Sequence, residues 1–263
     1  MANPEYQSLD VRGTAVRFMR AGKGAPLFLL RGDDASEGWR GYMDTLAQSN
    51  DVIAPEHPGF GGAPKPEWLD SVADMANFYL DMIDTLGLQG VRLMGLGLGG
   101  WIAAEMAIRA KGRIANLTLV DAAGMKVADS DGIDLFLVTE EQGVLDKFAD
   151  PAAGKAEQAF KLTPESEDTR IANQMVIAQL AWSPRWHDPN LRKWLHRVDV
   201  PTLIVWGEQD QIAPVAHAHE WQKLIKSARV EIIEGSGHMP YIEKSDAFVN
   251  AVSKFLNTER VPA

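Results

Sequence analysis

There is no cysteine among the 263 residues. That excludes disulfides, thiolate nucleophiles and zinc–thiolate sites. Positive charge is scarce as well: 26 Lys and Arg against 36 Asp and Glu leave a formal net charge of −10. A chain without a basic footprint fits neither nucleic acid nor an anionic membrane, so neither is expected as a partner. Long apolar runs are also lacking. The most apolar window, residues 91–108, carries Arg92, Glu105 and four glycines, which is too polar and too interrupted for a membrane span. The N-terminal MANPEYQSLDVRG has no apolar h-region, and a cytoplasmic chain is the expectation.

What is present is the rhythm of an α/β protein. Hydrophobic content is 46% and charged content 24%, ordinary for a globular chain long enough for one sizeable α/β domain with an insertion. Strands are predicted at 14–19, 26–31, 51–54, 91–94, 116–120, 201–206 and 229–233. The later ones are short, continuous apolar runs, as expected of parallel strands buried on both faces. Helices are predicted at 37–48, 70–86, 98–111, 214–226 and 245–257, the second capped by Asp70 or Ser71 and followed by Gly87. Such alternation predicts a doubly wound, mostly parallel sheet. It stops between about 124 and 198, where helical periodicity, turn signals and three of the eight tryptophans (Trp182, Trp186, Trp194) replace it. The expected organisation is therefore a core of residues 1–123 and 199–263, with residues 124–198 as a helical cap inserted over the end of the sheet.

The chemistry centres on a missing serine. Residues 91–101 read VRLMGLGLGGW, a β-type run that breaks into glycines and then a helix. This is the frame of a nucleophile elbow, G-x-S-x-G, with Gly97 where the serine belongs. Two further positions follow predicted strands, where the C-terminal ends of a parallel sheet gather functional groups. Asp210 follows 201–206 in IVWGEQDQIAP, and His238 follows 229–233 in IIEGSGHMPYIE. An aspartate so placed can accept the Nδ1–H of the histidine, setting its tautomer and stabilising an imidazolium. Asp121, after strand 116–120, is the alternative acid.

PEHPGFGGA at 55–63, the elbow frame at 95–100, LIVWGEQD at 203–210 and GSGHMPYIEK at 235–244 together make the chain resemble the α/β-hydrolase superfamily over nearly its whole length. The resemblance is nearest to capped bacterial members, a group of esterases, carbon–carbon bond hydrolases and haloalkane dehalogenases. It implies that Asp210 and His238 pair, that 124–198 covers the pocket, and that the backbone N–H groups of Asp33 and Leu98 occupy the oxyanion-hole positions. The departures lie in the same place. The family has His-Ser in the elbow where this chain has Leu96-Gly97, and His-Gly with small residues where this chain has Arg31-Gly32-Asp33-Asp34. Two carboxylates beside an oxyanion oppose it, and one like-charge pair at about 4 Å costs about 4 kcal/mol at an effective dielectric of 20. That is comparable to the roughly 3–4 kcal/mol one oxyanion donor contributes.

Several functions fit this pattern. One is a small-molecule hydrolase or lyase in which His238, oriented by Asp210, is a general base without an acyl-enzyme; hydroxynitrile lyases and cofactor-free dioxygenases of this fold imply such versatility. Others are an inactive ligand-binding homologue and an engineered Ser→Gly variant of a serine hydrolase. A dinucleotide site is a further reading, since Gly95 to Gly100 satisfies G-x-G-x-x-G with Asp121 about twenty residues on. Arg31, His57, Trp101 and Trp182 are candidate substrate contacts, although Arg31 can equally pair with Asp33 or Asp34 and His57 can simply order its loop. No cofactor is expected. His217 and His219 are spaced like a metal pair, but i, i+2 on a helix points them to different sides, so no metal is expected. A small molecule is the expected partner, and no feature of the chain sets an oligomeric state.

Overall fold

The computed structural model describes residues 4–32, 38–110, 112–161 and 167–258. Among these, eight strands form one sheet in the order β1-β2-β4-β3-β5-β6-β7-β8. The strands are β1 (Glu5–Val11), β2 (Thr14–Ala21), β3 (Ala25–Leu30), β4 (Asn50–Pro55), β5 (Val91–Leu96), β6 (Ile114–Val120), β7 (Thr202–Gly207) and β8 (Ala228–Ile233). β1 pairs antiparallel with β2, and β2 antiparallel with β4; every other pairing is parallel. The six parallel strands and β2 match the sequence expectation within a few residues. β1 was not expected. Its burial alternates only weakly and it lies at the sheet edge, so its pairing with β2, from Glu5↔Arg20 to Val11↔Thr14, is what defines it.

Helices cover both faces because consecutive residues in the central strands point to opposite sides. Phe28 and Leu30 of β3 join one core with Ile204 and Trp206 of β7. Into the same core pack α2 (Val72–Thr85), α3 (Leu98–Arg109) and α8 (Ala216–Leu224). Leu27 and Leu29, with Leu203 and Val205, face the other core beneath α1 (Gly41–Leu46) and α10 (Ser245–Thr258). Ser71 caps α2 by accepting the Asp74 N–H, and Gly87 takes a positive φ just past the helix end, so the sequence signals at both ends are realised. The helix expected at 37–48 is shorter: α1 begins at Gly41.

Between β6 and β7 the chain forms α4 (Glu140–Asp146), α5 (Pro151–Lys161), α6 (Glu167–Ala181) and α7 (Leu191–Trp194), with no strand among the described residues of the segment. It folds back at Trp186 against Gly124, just past β6, and the Gly124 N–H donates to the Trp186 carbonyl. A Cβ at Gly124 would stand 2.7 Å from the Trp101 ring, so only glycine lets this segment close on α3. A short α9 (Pro240–Glu243) precedes α10. None of the described helices is long and apolar enough to cross a membrane.

Candidate active site

Gly97 stands between the end of β5 and the start of α3 with φ 51° and ψ −116°, a conformation strained for any residue with a Cβ. Its three glycine neighbours are needed for a different reason. A Cβ on Gly95 would collide with the Gly99 carbonyl, one on Gly99 with the carbonyls of Leu30 and Arg31, and one on Gly100 would reach the Ala122 Cβ at 2.6 Å. They let α3 lie directly against the strand ends. Position 97 has room. A Cβ there would approach His238 Nε2 at 3.8 Å and the Gly32 Cα at 3.9 Å, with no nearer neighbour among the described residues beyond the adjoining ones. The side-chain direction at residue 97 therefore leads to His238. Leu98, the first residue of α3, has an N–H with no acceptor inside the helix.

His238 sits on the loop after β8 and Asp210 on the loop after β7. His238 Nδ1 is 2.8 Å from Asp210 Oδ2, and the Asp210 side chain is fully buried. A carboxylate can only accept, so Nδ1 carries the proton and the Nε2 lone pair faces Gly97. The other oxygen, Oδ1, accepts the N–H groups of Ile212 at 2.8 Å and Ala213 at 3.0 Å, which holds the carboxylate in place. The histidine loop is anchored from the segment between β6 and β7: His238 N–H donates to the Lys147 carbonyl at 2.7 Å. Glu243 completes the clamp, its carboxylate accepting from the backbone of Gly237 at 2.7 Å and Asp150 at 2.6 Å. The sequence reading missed Glu243 and Lys147. Their only signal was that Glu243 falls inside the GSGHMPYIEK motif.

Asp121, at the end of β6, is buried behind this pair, with Oδ1 accepting the Gly207 N–H at 2.9 Å. Burial, reinforced by the neighbouring Asp210 charge, pushes its carboxyl well above the ordinary range and favours the protonated form. Ligand-type atoms of Asp121, Asp210 and His238 all lie within 4.8 Å of one another. Both Asp210 oxygens are already engaged, one by His238 and one by two N–H groups. The donor set is thus a hydrogen-bonded acid–histidine chain rather than a cage for a cation. His217 and His219 both lie on α8, His217 buried and His219 exposed, so they face different sides as their spacing requires.

A cavity of about 490 Å³ opens over the strand ends and is lined by Gly97, Leu98, Asp121, His217 and His238 together with residues of the segment between β6 and β7. A second cavity of about 560 Å³ lies among α4, α5 and α6 and shares Leu135, Lys147 and Trp186 with the first. Of the candidate substrate contacts, Trp182 lines only this outer cavity, half-exposed, edge-on to Phe136 and beneath the Arg185 guanidinium. The structure does not bring Arg31, His57 or Trp101 into either cavity. Arg31 is fully buried and donates to the Gly38 carbonyl at 2.9 Å. His57 has both nitrogens engaged: Nε2 donates to the Arg31 carbonyl at 2.7 Å, so Nδ1 must accept from the Tyr79 hydroxyl. Trp101 is packed in the core against Gly124. His57 is held by its two hydrogen bonds, and Arg31 and Trp101 are buried. Asp33 and Asp34 lie outside the described residues.

The sequence pattern of the alpha/beta hydrolase family matches residues 25–251. The chain belongs to this family. A relative from Metapseudomonas resinovorans, 2-hydroxy-6-oxo-6-(2'-aminophenyl)hexa-2,4-dienoic acid hydrolase, is 28% identical over 266 residues, covering 95% of this chain and 90% of its own. An uncharacterized protein of Mycobacterium tuberculosis is 28% identical over 295 residues, covering 98% of this chain and 83% of its own. Among solved structures, a membrane phospholipase A superposes with a TM-score of 0.84 at 24% identity, covering 98% of this chain and 87% of that one, a likeness of fold. The alpha/beta hydrolase sheet thus carries Gly97, Asp121, Asp210 and His238 together at the C-terminal ends of β5 to β8.

Proposed function

We propose that this protein is a small-molecule hydrolase or lyase in which His238, oriented by Asp210, acts as a general base directly on a water or a substrate hydroxyl, without an acyl-enzyme. The observation that carries the reading is the direction from Gly97 to His238. With hydrogen in place of a side chain, an oxygen of water or substrate can sit within reach of Nε2. In the hydrolytic form Nε2 takes a proton from water and the resulting hydroxide attacks an electrophilic carbon. The same proton then passes from the imidazolium to the leaving group. Asp210 stabilises the imidazolium between these steps. The N–H of Leu98 and that of Asp33 are the proposed oxyanion donors, and the segment 124–198 is the proposed cap. Relatives named as hydrolases, including the dienoic acid hydrolase, support hydrolysis of a small organic substrate.

A ligand-binding protein without turnover is the second reading, favoured by the replacement of the family's His-Ser by Leu96-Gly97 and by the acidic pair at 33–34. A panel of esters, lactones and dienoic acids separates the two. Under the enzyme reading, substrate is consumed by the wild type and not by His238→Ala. A compound that raises the melting temperature and is recovered unchanged in both overturns it. Reversion tests the serine-hydrolase alternative: labelling of Gly97→Ser by a fluorophosphonate probe requires an intact oxyanion region.

A further inference from the structure

His217 is a second histidine of the inner cavity, and neither the His238–Asp210 pair nor the proposed reaction uses it. It lies in the first turn of α8, 8% exposed, with its ring in the cavity wall. Nδ1 is 3.0 Å from the Pro214 carbonyl. A carbonyl can only accept, so Nδ1 bears the proton and Nε2 is left as a bare acceptor. Among the described residues Nε2 has no hydrogen-bond partner. With Nδ1 turned to the start of its own helix, Nε2 is the edge that faces the cavity.

The charged groups near it are held by other partners. Lys126 pairs with Asp131 at 3.6 Å and Arg185 with Asp134 at 2.7 Å. Asp210 is committed to His238, and Asp121 is buried behind the pair. Burial also disfavours the imidazolium form of His217, despite the carboxylates of Asp210 and Asp131 nearby. Nε2 is not among the atoms sealed away without a partner, so a ligand donor can reach it and pair with it.

We propose that His217 Nε2 is a specificity-determining acceptor that reads a neutral O–H or N–H donor on the ligand, at a point separate from the atom presented to His238. The ligands are therefore small hydroxylated or amide-bearing molecules, and analogues with that donor methylated bind less well. The inference rests on the cavity being the ligand site, not on the kind of reaction performed there.

Long-range ¹H–¹⁵N spectra of the full chain test it, with His217 assigned by its loss in His217→Leu. The expected state near neutral pH is the Nδ1–H tautomer, the minor one of free histidine. Phenol, used as a probe, then shifts the His217 Nε2 resonance, and anisole does not. Phenol binds about fivefold more weakly to His217→Leu, the effect of one hydrogen bond. Binding recovers in part in His217→Gln, whose amide oxygen can replace Nε2. An Nε2–H tautomer overturns the proposal, as does phenol binding that shifts His238 but not His217. Shifts at neither ring overturn both this inference and the cavity as ligand site. If the leucine variant does not fold, the wild-type tautomer and the glutamine variant still decide.

Discussion

The Glu243 carboxylate accepts the backbone N–H of Gly237 at 2.7 Å, one residue before His238. The same carboxylate holds Asp150 N–H at 2.6 Å, tying the histidine loop to the entry of α5. Removing it orphans three backbone donors, those of Gly237, Asp150 and Ala149, whose bonds to a charged acceptor are among the stronger kind. Glu243→Ala is expected to lower stability by roughly 2–3 kcal/mol in urea unfolding. In an active enzyme it lowers kcat more than it changes KM, because Glu243 positions the base without touching the ligand. Unchanged stability would remove Glu243 from this role.

Gly97 tests whether room or strain governs the elbow. Gly97→Ala has a contact distance of 3.8 Å to His238 Nε2, so it fits sterically. Its φ of 51° with ψ −116° is expected to cost about 1–3 kcal/mol. Activity should fall far less than in His238→Ala. Equal losses in the two variants, with both folded by circular dichroism, would contradict a direct water or hydroxyl at this position.

Asp121 makes stability depend on pH in the unusual direction for a carboxylate. Burial, with the Asp210 charge beside it, raises its folded-state affinity for a proton well above the ordinary carboxylate range. Between the unfolded and folded values, the native state keeps a proton that the unfolded chain has lost. Stability therefore falls as pH rises through that window, by at most about 1.4 kcal/mol per pH unit. Asp121→Asn keeps an acceptor for the Gly207 N–H and removes the slope. Urea midpoints measured from pH 4 to 8 should show the variant gaining on the wild type as pH rises, and parallel curves would refute the assignment.

Tyr79→Phe removes the donor to His57 Nδ1 and so breaks a buried hydrogen bond. A loss of about 1–3 kcal/mol is expected. Since His57 lies outside the cavities, ligand affinity should be unchanged. A large change in affinity with little change in stability would return His57 to the candidate binding residues.

The central strands were legible because residues buried on both faces must be apolar throughout, as in LIVW and PLFLL. Helix ends were legible where chemistry marks them, as at Ser71 and Gly87. β1 was not, because an edge strand half in water needs no apolar pattern. The acid–histidine pair could be anticipated from its place after two strands. The clamp from Glu243 and the cavity face of His217 could not, since each depends on backbone groups distant or turned in ways that local pattern does not encode.

Taken alone, then, the sequence determined the sheet, its doubly wound layers, the absence of a nucleophile at residue 97 and the identity of the His238–Asp210 pair. Periodicity and strand-end placement are local properties, and the chain writes them directly. Tertiary structure alone decided which polar side chains are already engaged. It buried Arg31, bonded both nitrogens of His57, packed Trp101 into the core, and put His217 in the cavity wall with Nδ1 held by the Pro214 carbonyl. A side chain's availability depends on partners brought from elsewhere in the chain, and only folding supplies them.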